Sequence, residues 1–359
     1  MASDNVYPLP TRIEDLTVDW LRAALRVKHP GATLRDARLL DVNHGTCTKI
    51  RFALDMDEAG AAAGIPERVI LKGGFEEHSR MMPYMHAQEV HAYADVAPHS
   101  PLRFPACHFA AFDETARQGI VIMEDLVARG VRFCHPQRPE APAAVAERLT
   151  RLARHHAATW EGPAIRPGGR FDWATNVFDS THFESLLTPD IWRSYVASAR
   201  GAAASVCFHG LDWMKQAVAG MDRLARTLPT MLIHGDTHLG NLYVDVDGEP
   251  GFFDSLPHLA PAMYEVAYHV TGALDVPDRR RHERELVAHY RDELLRSGID
   301  APPLDDFMHQ FGCFLAYGYM IFILNASEFQ PEAINTAYTA RFSSAMLDHD
   351  TIGLLERLG

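Results

Sequence analysis

The chain has 359 residues, 47% of them hydrophobic, which is enough for a sizeable core and for two domains or one domain of two lobes. A formal net charge of −13 lacks the basic footprint that nucleic-acid binders carry. Five isolated cysteines (Cys47, Cys107, Cys134, Cys207 and Cys313), with no CxxC among them, argue against a disulfide framework and for a reducing compartment.

Met1-Ala2-Ser3-Asp4-Asn5 has neither the basic nor the apolar segment of a signal peptide, so a cytoplasmic protein with no membrane partner is expected. Residues 11–28 read as a helix with Thr17 as N-cap for Leu21, Ala24 and Leu25. Residues 37–55 read as two strands joined by Asn43-His44-Gly45-Thr46, and 56–66 as an Ala/Gly-rich connector. Val69-Ile70-Leu71-Lys72 is a β-branched strand stopped by Gly73-Gly74; residues 83–96 form a helix opened by Pro83; Gly119–Met123 is a further strand. Beyond it the pattern turns helical. Val145, Leu149, Leu152 and His156 share one helical face, with His156 read as a core histidine. Further helices are expected near 189–200, 210–227, 262–274, 280–296, 304–325 and 331–357, interrupted by strands at 231–233 and by a strand pair at 241–254 turning through Asp247-Gly248. The longest apolar run, Phe311 to Leu324, contains Gly312 and Gly318, is too short for a bilayer and reads as a buried helix. A β-rich first third and a helical remainder point to an α+β chain of two lobes with a site between them.

The densest chemistry lies in Ile233-His234-Gly235-Asp236-Thr237-His238-Leu239-Gly240-Asn241, where an apolar strand runs into a loop of acid, amide and imidazole. Phosphoryl transfer needs a carboxylate to take the proton of the attacking hydroxyl, and an amide oxygen and a second carboxylate as hard ligands for Mg²⁺. Asp236 fits the first role, Asn241 the second, and Asp254, returned by the hairpin through Asp247-Gly248, the third. Of four lysines, Lys72 ends a strand in a manner suited to a cation aimed at phosphates, and Lys49 is its rival. Glu89 favours Lys72: it shares an apolar helical stripe with Met85, Tyr93 and Val96, where a carboxylate needs a cationic partner.

The stretch 233–241 with Asp254 resembles the catalytic loop of the aminoglycoside phosphotransferase and choline kinase superfamily: His-Gly-Asp, four residues, Asn, then a metal-binding Asp. The resemblance implies a bilobal protein-kinase-like fold, with an N-terminal nucleotide lobe over 1–123, a hinge at 124–128 and a catalytic and substrate lobe over 129–359. It implies ATP and Mg²⁺ as cofactors, Asp236 as base, Asn241 and Asp254 as metal ligands, and a Lys72–Glu89 pair at the α- and β-phosphates. Ile120-Val121-Ile122-Met123-Glu124-Asp125-Leu126 is similar to the hinge of the ecdysteroid-kinase-like branch, which implies adenine contacts from the backbone at Glu124 and Leu126. His91-Ala92-Tyr93 and 152–160 resemble that branch too.

There are departures. The phosphate loop, 43–48, has a single glycine, leaving Gly45 amides and the hydroxyls of Thr46 or Thr48 to cover the phosphates. Ser255-Leu256 replaces Phe-Gly after Asp254, which favours a small-molecule alcohol as acceptor. Glu265 stands where the superfamily often has a structural Asp. No dense acidic cluster suited to an amino sugar is seen, and Phe307, Phe311, Phe314, Tyr317 and Phe322 read as core. Two other readings are a catalytically inactive nucleotide-binding pseudokinase and, from His234 and His238 around Asp236, a metal-dependent hydrolase.

Overall fold

The computed structural model describes residues 6–45, 47–179 and 185–358. Met1–Asn5, where the signal-segment reading falls, and Thr46, a candidate phosphate contact, lie outside them. The Cα atoms cluster into two units: residues 1–132 with 244–257, and residues 133–243 with 258–359.

The first unit is built on an antiparallel five-stranded sheet in the order β1-β2-β3-β5-β4. Its strands are Leu34–Asn43 (β1), Thr48–Met56 (β2), Arg68–Gly73 (β3), Cys107–Asp113 (β4) and Gln118–Glu124 (β5). Strand alternation sorts the residues of β2 onto two faces. Ile50, Phe52 and Leu54 join Val69, Leu71, Ile120 and Ile122 in one core, covered by Trp20, Leu21, Ala24 and Leu25 of α1, Val18–Lys28. Thr17 caps that helix as expected, accepting from the Trp20 amide at 3.2 Å. On the other face, Val121 and Met123 pack against Val90 and Tyr93, which belong to α3 (Pro83–His91) and its π-helical extension Ala92–Val96. This second face also carries the polar residues of β2 and β3, with Lys49 directly opposite Lys72.

Two elements differ from expectation. β4 was not anticipated, and the 56–66 connector contains a helical turn, Glu58–Ala62 (α2), whose N-cap Asp57 accepts from the Gly60 amide at 2.8 Å.

The second unit is mainly helical. Its centre is the helix Ala262–Ala273, mostly apolar and buried on every side, Glu265, His269 and Thr271 included. Around it pack the helices Pro142–Ala157, Val276–Arg296, Leu304–Leu324 and Glu332–Asp348. Small residues allow the close crossings: a Cβ at Gly318 would lie 2.1 Å from the Phe342 ring. The helix expected over 331–357 is two, Glu332–Asp348 and Thr351–Glu356, because Asp350 takes a left-handed backbone (φ 51°) and caps the second. Helix Leu304–Leu324 forms where a helix was expected and, contrary to the reading of its apolar run, is long and apolar enough to cross a membrane. However, 83% of its most apolar stretch is buried inside the protein, including Phe307, Phe311, Phe314, Tyr317 and Phe322. A short antiparallel pair, Met231–Ile233 with His258–Ala260, completes the unit, the latter strand being unforeseen.

Candidate active site

The loop after Met231–Ile233 is held from behind by Glu265, on the buried central helix. One carboxylate oxygen accepts from the His234 amide at 3.1 Å and the other from the Gly235 amide at 2.7 Å. Gly235 has φ 88°, a left-handed conformation that turns the chain towards Asp236. Glu265 is in turn held by His156, whose Nε2 lies 2.9 Å from it and whose Nδ1 lies 2.7 Å from the Tyr290 hydroxyl. A carboxylate only accepts, so Nε2 carries the proton and, in the neutral ring, Nδ1 accepts from Tyr290. Burial opposes the charge of Glu265 most strongly, but the His156 hydrogen bond and the donors around it pull its carboxyl down to about 2. The sequence reading set Glu265 where the superfamily often has a structural Asp, its supporting role open, and His156 as a core residue. Both are buried, and together they brace the loop.

Other braces converge on the same loop. The His234 ring accepts from the Asp236 amide at 3.3 Å, His269 Nδ1 donates to the Thr237 carbonyl at 2.9 Å, and the Tyr338 hydroxyl accepts from the Leu239 amide at 3.0 Å. His238 caps the 3₁₀ turn Leu239–Asn241 through Nδ1, accepting from the Gly240 amide at 2.9 Å. One ring nitrogen of His234 and one of His238 are thus committed to backbone amides. Among the described residues no group of three His, Cys, Asp or Glu is placed to hold a metal ion.

Asp236 is gripped at both oxygens. Asn241 Nδ2 donates to Oδ2 at 2.7 Å and to the Asp236 carbonyl at 3.1 Å, while the Tyr268 hydroxyl donates to Oδ1 at 3.1 Å. Both partners of the Asn241 amide are acceptors, which fixes its NH₂ towards Asp236 and turns Oδ1 away, available as a hard oxygen ligand. Tyr268 was missed, since in a helix buried on every side nothing marks one aromatic residue as polar in function. Its ring stacks on Phe322, with centroids 5.5 Å apart. Tyr268→Phe is expected to lower kcat roughly tenfold, the scale of one hydrogen bond to a charged group, with the nucleotide KM unchanged. Steady-state kinetics checks this.

The remaining candidates lie in the first unit. Lys72, 5% exposed, donates to Glu89 and, at 2.8 Å, to Asp254 Oδ1. Lys49 donates to Asp254 Oδ2 at 3.2 Å. Burial works against the charge of Lys72, but Asp254 and then Glu89 outweigh it and hold the ammonium well above the usual lysine range. Burial also opposes the charge of Asp254, yet Lys49 and Lys72 keep its carboxyl below the usual range. Asp254 follows the strands Leu242–Val244 and Pro250–Phe252 and has φ 54°, a conformation costing a non-glycine residue about 1–3 kcal/mol.

In the loop expected to meet phosphates, a Cβ at Gly45 would lie 3.7 Å from the Cys47 carbonyl oxygen, an ordinary contact, and the Gly45 carbonyl lies 2.9 Å from His78 Nε2. Thr48 does not offer its hydroxyl to a ligand: it is buried and donates to Glu76 at 3.0 Å, as His44 pairs with the same carboxylate at 2.5 Å. At the hinge, the Glu124 amide donates to the Ala106 carbonyl at 2.9 Å and its side chain accepts from the Ala106 amide. The Leu126 amide opens the short helix Leu126–Arg129, outside its internal ladder and not claimed by the Asp125 cap. Buried Asp125 receives Arg51 at 2.7 and 2.9 Å, tying β2 to the hinge.

No protein-family model matches the sequence, and no curated protein matches it. Solved structures do. An ethanolamine kinase of Plasmodium vivax superposes with a TM-score of 0.51 at 11% identity, over 94% of this chain and 87% of its own. The choline kinase LicA of Streptococcus pneumoniae gives 0.50 at 10% identity, over 87% and 94%. An aminoglycoside phosphotransferase solved with GDP and kanamycin gives 0.49 at 10% identity, over 93% and 96%. This chain has the α+β kinase-like fold of the ethanolamine and choline kinases. None of these structures is an ecdysteroid kinase, so the likeness to that branch rests on its sequence motifs.

Proposed function

We propose that the protein is an ATP- and Mg²⁺-dependent phosphotransferase that moves the γ-phosphate onto a hydroxyl of a small molecule. The observation that carries this reading is the grip on Asp236: a carboxylate oriented at both oxygens, beside an amide whose own oxygen is turned out. Asp236 takes the acceptor proton as the oxygen attacks the γ-phosphorus, the bond to the β-phosphate breaks, and ADP leaves. Lys72, held by Glu89, binds the α- and β-phosphates, and the Gly45 backbone covers them. Thr46 belongs to the same loop by sequence. The Glu124 carbonyl and the Leu126 amide read the adenine edge as an acceptor–donor pair. Asn241 Oδ1 and the Asp254 carboxylate are hard oxygen donors that suit Mg²⁺, an ion that takes few protein ligands and fills its shell with phosphate and water. When bound, it neutralises charge on the phosphates.

The acceptor is a small-molecule alcohol. The helix carrying Phe307, Phe311, Phe314, Tyr317 and Phe322 supplies core rather than an acid-lined pocket for an amino sugar. The five cysteines form no disulfide, in keeping with a cytoplasmic location.

A panel of alcohols and amino sugars, read by nucleotide consumption with and without magnesium, tests the proposal. Turnover that requires magnesium and one acceptor class is expected. A nucleotide-induced thermal shift with no turnover on any acceptor would favour a pseudokinase, and stoichiometric zinc without nucleotide binding a hydrolase.

A further inference from the structure

Two of the chain's four lysines, Lys49 and Lys72, stand directly opposite each other on neighbouring strands and meet on one carboxylate. Like charges facing across a sheet are destabilising unless an anion lies between them. Lys72 and Lys49 together balance the two carboxylates, Glu89 and Asp254, but only Lys72 is buried and holds both. The Lys49 side chain is 39% exposed, and an ion pair so placed contributes little to stability. Lys49 is therefore the one of the two ammonium groups that a ligand from solvent can reach.

The phosphate loop points to a ligand instead. It has one glycine rather than several, and its polar side chains at His44 and Thr48 are both committed to Glu76. The positive complement that a polyphosphate requires is missing from the loop and present in Lys49, the first residue after Thr48.

We infer that Lys49 is a second phosphate-binding lysine, which contacts the β- or γ-phosphate oxygens in place of a glycine-rich loop. The inference rests on the nucleotide reading given above. With Asp254 engaged by a hard cation, Lys72 keeps Glu89 as its partner, whereas Lys49 exchanges its one carboxylate for a phosphate oxygen.

Calorimetric titration of the full chain with the β,γ-imido analogue of ATP and with AMP, both with magnesium, tests it. Lys49→Met should weaken the triphosphate analogue about 10–100-fold, the scale of one charge-assisted contact, and leave AMP within about twofold. Lys49→Arg should restore most of the loss. Thermal melts establish that each variant is folded. Unchanged affinity of Lys49→Met for the triphosphate analogue would overturn the inference, as would equal weakening of the analogue and AMP. Wild-type protein that binds neither compound would overturn the nucleotide reading itself.

Discussion

Asp236→Asn is expected to lower kcat by about 10²–10⁴-fold, the span attributed to a general base, while nucleotide affinity and melting temperature stay near wild type. The substitution is nearly isosteric and its hydrogen bonds can be kept. An asparagine at 236 turns its oxygen to Asn241 Nδ2 and its NH₂ to the Tyr268 oxygen, so both grips survive in altered polarity. What is lost is the capacity to accept the acceptor's proton. Single-turnover kinetics alongside nucleotide titration separates the two effects, and an Asp236→Asn enzyme of wild-type rate would remove Asp236 from the mechanism.

Glu265→Gln carries the largest expected cost in stability, about 3–5 kcal/mol, the usual result of removing one partner from a buried ionic arrangement. Glu265 accepts from two backbone amides and from His156, and the NH₂ of glutamine would oppose one of those donors. The variant also changes the acid response. The folded carboxyl sits near 2, below an ordinary value of 4.5, so its contribution is complete above about pH 4.5 and disappears as pH falls towards 2. That contribution is ~3 kcal/mol at 1.36 kcal/mol per unit. Urea melts from pH 6 to pH 3 should show wild type and Glu265→Gln converging as acid is added. Parallel curves would show that Glu265 does not hold the loop by its charge.

Much of this site was legible because its residues lie close together in the chain. Asp236 and Asn241 are five apart, and Glu89 betrayed its partner by standing on an apolar helical stripe. The supporting shell was not legible. His156 and Glu265 are 109 residues apart, and each alone looks like an ordinary member of a helix. Tyr268 sits in a helix buried on every side, where periodicity vanishes and with it the signal that separates a polar task from packing. In the fold, β4 escaped notice because Cys107-His108-Phe109-Ala110-Ala111-Phe112-Asp113 contains no β-branched residue. Asp350 broke a helix because its side chain could cap the next one, a competition that helix-forming neighbours conceal.

The division of the chain has a consequence for dissection. The first unit is not one stretch of sequence, because residues 244–257 return to it after an excursion through the second. A fragment ending at residue 132 would retain all five sheet strands but lose Asp254, leaving Lys49 and Lys72 facing each other with only Glu89 beside Lys72. Such a fragment is a poor candidate for autonomous folding. A fusion that splices 244–257 back by a short linker, or the same segment supplied as a peptide, restores the missing counter-charge and is the rational starting point for isolating the first unit.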